Sequence, residues 1–260
     1  MNAIRYTATK LAANNIKGIN APDADGYYEM IVGGLNVFNS VNQFYTAQGA
    51  QNLFEESAVL MRRVTNGCLK SEVGHPRKAI GQSDRDYFSR VMTIQEDNVC
   101  AHFSELWLDF NFGKNNPKYK NPNLVAIMAK VKPTGPQAAA LAAALANPKE
   151  NVCFSIRSIT RDFYNNGIYT REIEEIITFD WVTEPGISIA NKWDAPATEA
   201  IAIESLEEAP DIRVTENMVK DALFKNIGFG IEDSKSLLEQ TLVIVERASV
   251  KAKPLNISKW

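Results

Sequence analysis

The sequence predicts an α+β fold with a largely antiparallel sheet. Aromatic and β-branched residues are concentrated in segments typical of strands, such as YYEMIVGGLNVFN (Tyr27–Asn39). A long alanine-rich stretch, residues 138–146, predicts a helix between two apolar strands. The turn signal Asn166-Gly167 then joins the second of these strands to the apolar segment that ends at Val182, which predicts an antiparallel hairpin.

Each of the other elements has a local signal. Gly33-Gly34 predicts a bend within the first strands, and Gly67 ends a helix predicted over residues 51–67. Residues 98–112 predict one or two strands. Thr134 and Gln137 are spaced as a capping box for the alanine-rich helix.

The composition of the chain changes after Asp194. The whole chain of 260 residues is long enough for one substantial core. We expect this core in residues 1–195, before the change in composition. Residues 196–213 are acidic and alanine-rich, which predicts an extended linker. Residues 214–260 predict a C-terminal helical segment, with two amphipathic helices divided at 228–230.

Composition and charge argue against several classes of protein. A net charge of −3 gives no general attraction to nucleic acid or to an acidic membrane. The lysines around Tyr119 could contact nucleic acid, but a solvated loop is favoured because no wider basic stripe accompanies them. The longest apolar run, 138–146, is too short to span a bilayer, and the N-terminal segment lacks the apolar core of a signal peptide.

The sequence also gives no sign of a metal ion or cofactor. The two histidines, His75 and His102, belong to no cluster with metal-ligand spacing, and no phosphate loop or dinucleotide fingerprint is present. The three cysteines are far apart, which favours a reducing compartment. No G-x-S-x-G motif supports an ordinary α/β-hydrolase.

The strand CFSIRS (153–158) carries Ser155 and Arg157 on one face, where burial without partners is costly. With Asn166-Gly167 as turn residues, the hairpin register places Ser155 opposite Thr178, with Asp180 diagonal at roughly 7–8 Å. An imidazole fits between such a hydroxyl and carboxylate. The three groups would then form a nucleophilic triad.

Structural explanations stand beside this one. Ser155 could simply bond to backbone, Asp180 could cap a turn, and Arg157 could pair with a carboxylate of REIEE (171–175). A hydrolase that uses Cys100 or Cys153 with His102 is a further alternative.

Three ordered blocks give the chain a resemblance to a known family. LKSEVGHP (69–76), VKPTGPQAAALAAAL with the following NVCFSIRS, and ITFDWVTEPG (177–186) resemble the prohead serine proteases of tailed bacteriophages, most closely those of large contractile-tail phages. The resemblance covers roughly residues 26 to 190. It departs from the family at Ser71, Cys153 and Ser158, where members often have glycine.

The resemblance implies a fold and a site. It implies the herpesvirus assemblin-like fold, a β-barrel or strongly curved sheet surrounded by helices. It implies that Ser155 is the nucleophile and His75 the general base, with Asp180 in the place of the second histidine that is the third triad member in assemblins. Backbone amides near Arg157, with Arg157 or Arg161, are the implied oxyanion or substrate-binding groups.

The resemblance also implies a biological setting. Such enzymes cut scaffold, major capsid and internal head proteins after glutamate, inside a procapsid in the host cytoplasm. The resemblance leaves open whether the protein forms a homo-oligomer. The predicted linker contains matching motifs ending in Glu199, Glu204 and Glu207, which are candidate self-cleavage sites. The alternative is a catalytically inactive scaffold or capsid-interaction protein with the protease fold.

Overall fold

The structure is a computed structural model that describes residues 3–7, 14–15, 21–165, 167–195, 201–202, 212–226 and 232–251. The strands are β1 (Ala3–Thr7), β2 (Asn14–Asn15), β3 (Tyr28–Leu35), β4 (Val37–Phe38), β5 (Phe44–Thr46), β6 (Lys70–Glu72), β7 (Val99–Asp109), β8 (Val125–Pro133), β9 (Cys153–Asn165), β10 (Ile168–Val182), β11 (Ile201–Ala202) and β12 (Ile212–Arg213). The helices are α1 (Val59–Thr65), α2 (Asp84–Met92), α3 (Phe112–Asn115), α4 (Ala138–Ala146), α5 (Glu216–Asn226) and α6 (Glu232–Lys251), with short 3₁₀ turns at Ala50–Phe54, Glu96–Asn98, Pro117–Tyr119 and Lys192–Asp194.

Two sheets make up most of the fold. One has the strand order β12-β1-β9-β10-β5-β4 and the other the order β3-β8-β7-β6, while β2 pairs with β11. Within the described residues, every strand pair is antiparallel except β10 with β5. A bridge between Val73 and Trp181 joins the end of β6 to β10, so the strands curl into a half-barrel. The predicted α+β class with a strongly curved, mostly antiparallel sheet is confirmed.

The main core packs residues of both sheets against one another. Met30, Phe103, Ile127 and Phe154 are fully buried there. Gly33 lies at a bulge in β3, where a Cβ atom would approach the Ile156 side chain to 2.8 Å. The predicted bend is therefore confirmed, and its glycine allows the two strands to pack closely.

A second core lies on the opposite face of the β9–β10 hairpin. Helix α2 contributes Phe88 and Val91, and helices α5 and α6 contribute Val219 and Leu238, all packed with Ile159 of β9. The C-terminal helices therefore cover the same face of β9 that carries Ser155 and Arg157, further along the strand.

The register of the hairpin differs from the predicted one. Ser155 pairs with Asp180, and Arg157 pairs with Thr178, so the predicted pairing of Ser155 with Thr178 is wrong. The cause is two irregularities in β10, between Ile173 and Glu175 and between Ile176 and Thr178, each of which adds one residue to that strand. Because the total shift is two residues, Asp180 stays on the face of Ser155.

Local predictions differ in three other places. The helix expected over 51–67 is divided into the 3₁₀ turn at 50–54 and α1, although the chain does leave the helix near Gly67, whose φ is 68°. The N-cap of α4 is Gln137, without a side-chain cap, so the predicted Thr134 cap is wrong. The predicted break between the two C-terminal helices, at 228–230, lies outside the described residues.

The contact between α6 and the hairpin contains a buried carboxyl group. Glu175 is 3% exposed, and its Oε2 accepts a hydrogen bond from Thr241 of α6. Among the described residues, its Oε1 has no hydrogen-bond partner. Burial raises the pKa of Glu175 to about 8, although Thr241 and Arg63 oppose the effect.

We expect Glu175→Gln to stabilise the protein at neutral and alkaline pH. Between pH 4.5 and about 8 the folded state keeps a proton that the unfolded chain releases, so the free energy of unfolding of the wild type falls as pH rises through this window. The glutamine variant lacks this slope and should gain on the order of 2 kcal/mol at pH 8. Urea unfolding at pH 5 and pH 8 measures the difference; parallel pH slopes in the two proteins would contradict it.

Candidate active site

His75 is held in place by the loop that follows β6. Gly74 adopts a φ of 71°, which glycine tolerates at little cost, and its N–H donates to the Trp181 carbonyl at 2.6 Å. On the other side, the Tyr87 hydroxyl of α2 donates to the Pro76 carbonyl at 3.0 Å. The imidazole is thereby fixed between β10 and α2.

The structure brings His75 and Asp180 together. Nδ1 of His75 lies 2.7 Å from Oδ2 of Asp180, and both side chains are almost completely buried. Nε2 of His75 has no hydrogen-bond partner among the described residues. A hydrogen bond between Ser155 and His75 is therefore not formed in this state, as is common in enzymes without bound substrate.

Ser155 lies beside this pair. It is directly opposite Asp180 in the hairpin, and the Cβ atoms of such pairs are roughly 4.5–5.5 Å apart on the same face. Ser155 is 5% exposed. The alcohol therefore lies opposite the carboxylate that binds His75, and the alternative in which Asp180 only caps a turn does not fit its contacts.

The electrostatics of Asp180 depend on Arg157. Burial acts to raise the pKa of Asp180, but the Arg157 guanidinium and the His75 ring outweigh it, and the pKa is lowered overall. The carboxyl is therefore ionised at neutral pH. This is the state that can hold an imidazole in one tautomer and stabilise its protonated form.

Neither arginine singled out in the sequence lies where an oxyanion would form. Arg157 is fully buried, and its guanidinium binds both oxygens of Asp180. Arg161 lies six residues beyond Ser155 along β9, about 20 Å from it at strand spacing, where it pairs with Glu174. Direct contact of either side chain with the reacting carbonyl is not compatible with these positions.

A small pocket adjoins Ser155. It is lined by Val32, Gly33, Asn39, Tyr45, Phe154, Ser155, Ile156, Gly186, Ile187 and Ala190. This lining is mainly apolar and contains no cation. With a cavity volume of about 10 Å³, the pocket holds roughly one water molecule and has no room for a substrate side chain as it stands.

The far wall of this pocket is anchored by a buried lysine. The Ala190 carbonyl accepts from the Phe154 N–H at 2.9 Å, which ties the segment after β10 to the start of β9. Two residues on, Nζ of Lys192 donates to the carbonyls of Ala144 and Asn147 at 2.9 and 2.8 Å, at the end of α4. The cation thus satisfies helix carbonyls that have no partner within the helix.

The structure argues against a cysteine nucleophile. Burial raises the pKa of Cys100 to about 12 and also raises the pKa of Cys153, so neither thiol ionises near neutral pH. His102 contacts the Tyr27 hydroxyl at 3.1 Å through Nδ1. Among the described residues, no group of three or more His, Cys, Asp and Glu side chains is arranged to hold a metal ion.

The other residues singled out from the sequence have varied positions. Ser71, Cys153 and Ser158, the departures from glycine, are all buried. In the lysine-containing loop, Lys118 and Tyr119 both donate to Asp194. Glu199, Glu204 and Glu207 lie outside the described residues. None of the helices within the described ranges is both long and apolar enough to cross a membrane.

Three comparisons with known proteins bear on this site. Residues 6–242 match the model of the Peptidase S80 family. The chain is 36% identical over 215 residues to the capsid maturation protease of Pseudomonas phage phiKZ, covering 81% of this chain and 77% of the relative. A solved structure, the bacteriophage T4 capsid assembly protease gp21, aligns with a TM-score of 0.40 and 14% identity over 71% of this chain and 99% of that one.

The family match and the phiKZ relative confirm the resemblance seen in the sequence blocks. The matched segment includes His75, Ser155 and Asp180 and extends into α6. The chain belongs to the Peptidase S80 family.

Proposed function

We propose that this peptidase is a serine endopeptidase with a Ser155–His75–Asp180 triad. The observation that carries the proposal is the 2.7 Å contact between His75 Nδ1 and Asp180 Oδ2, which leaves Nε2 as the available base beside the face that carries Ser155.

The chemistry follows from these positions. Ser155 Oγ attacks the substrate carbonyl carbon while His75 Nε2 takes the hydroxyl proton, and Asp180 stabilises the resulting imidazolium. His75 then gives the proton to the departing amine nitrogen, the C–N bond breaks, and an acyl-enzyme ester forms. Water activated by the same imidazole hydrolyses the ester and restores Ser155.

The backbone of β9 supplies a candidate oxyanion donor. Because Phe154 donates its N–H to Ala190, away from β10, strand alternation directs the Ile156 N–H to the same side. Strand β1 pairs with β9 only from Ser158 onwards. We assign the Ile156 N–H, next to the nucleophile, as a donor to the developing oxyanion, in place of the arginine side chains.

We further propose that the enzyme acts in phage capsid maturation, as the name of the phiKZ relative states for that protein. Its substrates would be scaffold, major capsid and internal head proteins, cut inside the procapsid in the host cytoplasm. Cleavage after glutamate, with a small or aliphatic residue two positions earlier, is the specificity that the sequence resemblance implies for these substrates.

Self-cleavage in residues 196–213 gives the sharpest test. We expect mass spectrometry of the purified wild type to show chains ending at Glu199, Glu204 or Glu207, and Ser155→Ala to remain at 260 residues. Replacing the three glutamates by glutamine should block the cuts while fluorophosphonate labelling of Ser155 is retained. An intact wild type after prolonged incubation, also unreactive to the fluorophosphonate, would favour an inactive capsid-interaction protein instead.

A further inference from the structure

Asp180 is bound by more than the imidazole. Nε of Arg157 donates to Oδ2 of Asp180 at 2.8 Å, and Nη2 donates to Oδ1 at 2.6 Å. Both residues are completely buried. A bidentate pair of this kind fixes the plane of the carboxylate as well as its position. Oδ2 therefore receives Arg157 and His75 together.

Arg157 is held in turn by groups from two other elements. Its Nη2 lies 3.3 Å from Oε2 of Glu72, and its Nη1 donates to the carbonyls of Val91 and Thr93 at 3.2 and 3.3 Å, at the end of α2. A cation at a helix C-terminus is electrostatically favourable. The guanidinium thus has partners in β6, α2 and β10.

Glu72 is itself fully buried and multiply bonded. It pairs with Arg90 of α2 through both carboxylate oxygens, and it accepts the Gln95 N–H at 2.6 Å. The four side chains form an alternating row in the order Asp180, Arg157, Glu72, Arg90, with no net charge. Such a row lowers the cost of burying each ion, since every charge faces an opposite one.

We propose that Arg157 is a positioning residue of the protease, which holds Asp180 ionised and correctly oriented toward His75, and that Glu72 and Arg90 fix Arg157 for this task. The proposal rests on the triad proposed above. Arg157 does not touch the substrate, so its effect on catalysis is transmitted through Asp180.

The charge balance around Asp180 predicts how the site depends on pH. Besides Arg157, Glu72 and Arg90 of the row itself, the titratable groups near Asp180 are His75 and the neutral Cys100 thiol. Without the guanidinium, burial would act on Asp180 with only His75 opposing it, and its pKa would rise. A protonated Asp180 cannot stabilise an imidazolium, so activity would be lost at a higher pH than in the wild type.

The test measures the rate of fluorophosphonate labelling of Ser155 between pH 5 and pH 9. Arg157→Met alone leaves two buried carboxylates, so the informative variant is Arg157→Met with Glu72→Gln. We expect the acidic limb of its rate profile to move up by at least about one pH unit. We expect its rate at the plateau to fall roughly tenfold, because the carboxylate plane is no longer fixed.

Arg157→Lys provides a second readout if the double variant does not fold. Lysine keeps the charge but cannot bind both oxygens as a fork, so the limb should stay in place while the plateau falls severalfold. Circular dichroism checks folding. A wild-type plateau in Arg157→Lys, or an unmoved limb in the folded double variant, would overturn the proposal.

A matched control lies in the same hairpin. Arg171 and Asp162 form another buried ion pair, remote from Ser155: Nε of Arg171 lies 3.2 Å from Oδ1, and its Nη2 donates to Oδ2 at 3.4 Å. Arg171→Met with Asp162→Asn should lower the melting temperature and leave the acidic limb unmoved. A limb that shifts equally in both double variants would mean a general structural effect and would overturn the positioning role. A wild type that is never labelled would overturn the triad itself.

Discussion

Replacing Ser155 by alanine is expected to abolish fluorophosphonate labelling and to lower the rate of peptide cleavage by about 10⁶-fold. The alcohol oxygen forms the acyl-enzyme bond, and no neighbouring group in the described structure can replace it. Folding should be unaffected, because the change removes one oxygen from a side chain that is already almost buried. Labelling is followed by intact-protein mass spectrometry, and cleavage by the appearance of processed chains.

Ser158→Ala is the matched control for this variant. Ser158 lies three residues further along β9 and is completely buried, and its Oγ has no hydrogen-bond partner among the described residues. We expect it to retain labelling and cleavage within about twofold of the wild type. Equal loss of labelling in both variants would show damage to the strand, and retained cleavage in Ser155→Ala would exclude Ser155 as nucleophile.

Asp180→Asn is expected to lower kcat by about 10⁴-fold while Ser155 and His75 stay in place. An amide cannot stabilise the imidazolium, and it can present an N–H to Nδ1, which favours the wrong tautomer. The change also removes the charge that faces Arg157, so the melting temperature should fall. Pre-steady-state labelling kinetics and thermal unfolding measure the two effects separately.

Asp162→Asn distinguishes the catalytic effect from the structural one. Asp162 is a buried carboxylate in the same hairpin that accepts from Tyr169 and pairs with Arg171. It should show the fall in melting temperature with nearly full activity once folded. If Asp180→Asn loses no more activity than Asp162→Asn, Asp180 has no part in the triad.

Much of the fold and the site is readable from local sequence. The Asn-Gly turn gives the hairpin, and the ordered blocks around His75, Ser155 and Asp180 give the three residues proposed as the triad. The register could not be read in the same way. The two irregularities in β10 have no glycine or proline in the strand to mark them, so the local sequence does not reveal them.

Helix α2 was missed, although signals for it were present. Ser83 caps the helix through the Asp86 N–H, and Tyr87, Phe88, Val91 and Met92 recur at helical spacing. This helix supplies the carbonyls and Arg90 that surround Arg157 and Glu72. The α2 and β6 partners of Arg157 lie 64 to 85 residues away from it in the sequence, so its contacts with them could not be read from the local pattern.

The central claim is that His75 activates Ser155, and adduct mapping in the wild type and in His75→Ala tests it most directly. We predict that peptide mass spectrometry places the fluorophosphonate on Ser155, and that His75→Ala lowers the labelling rate at pH 8 by more than 10³-fold with the fold intact. An adduct on another side chain, or a His75→Ala rate equal to that of the wild type, would contradict this account of the site.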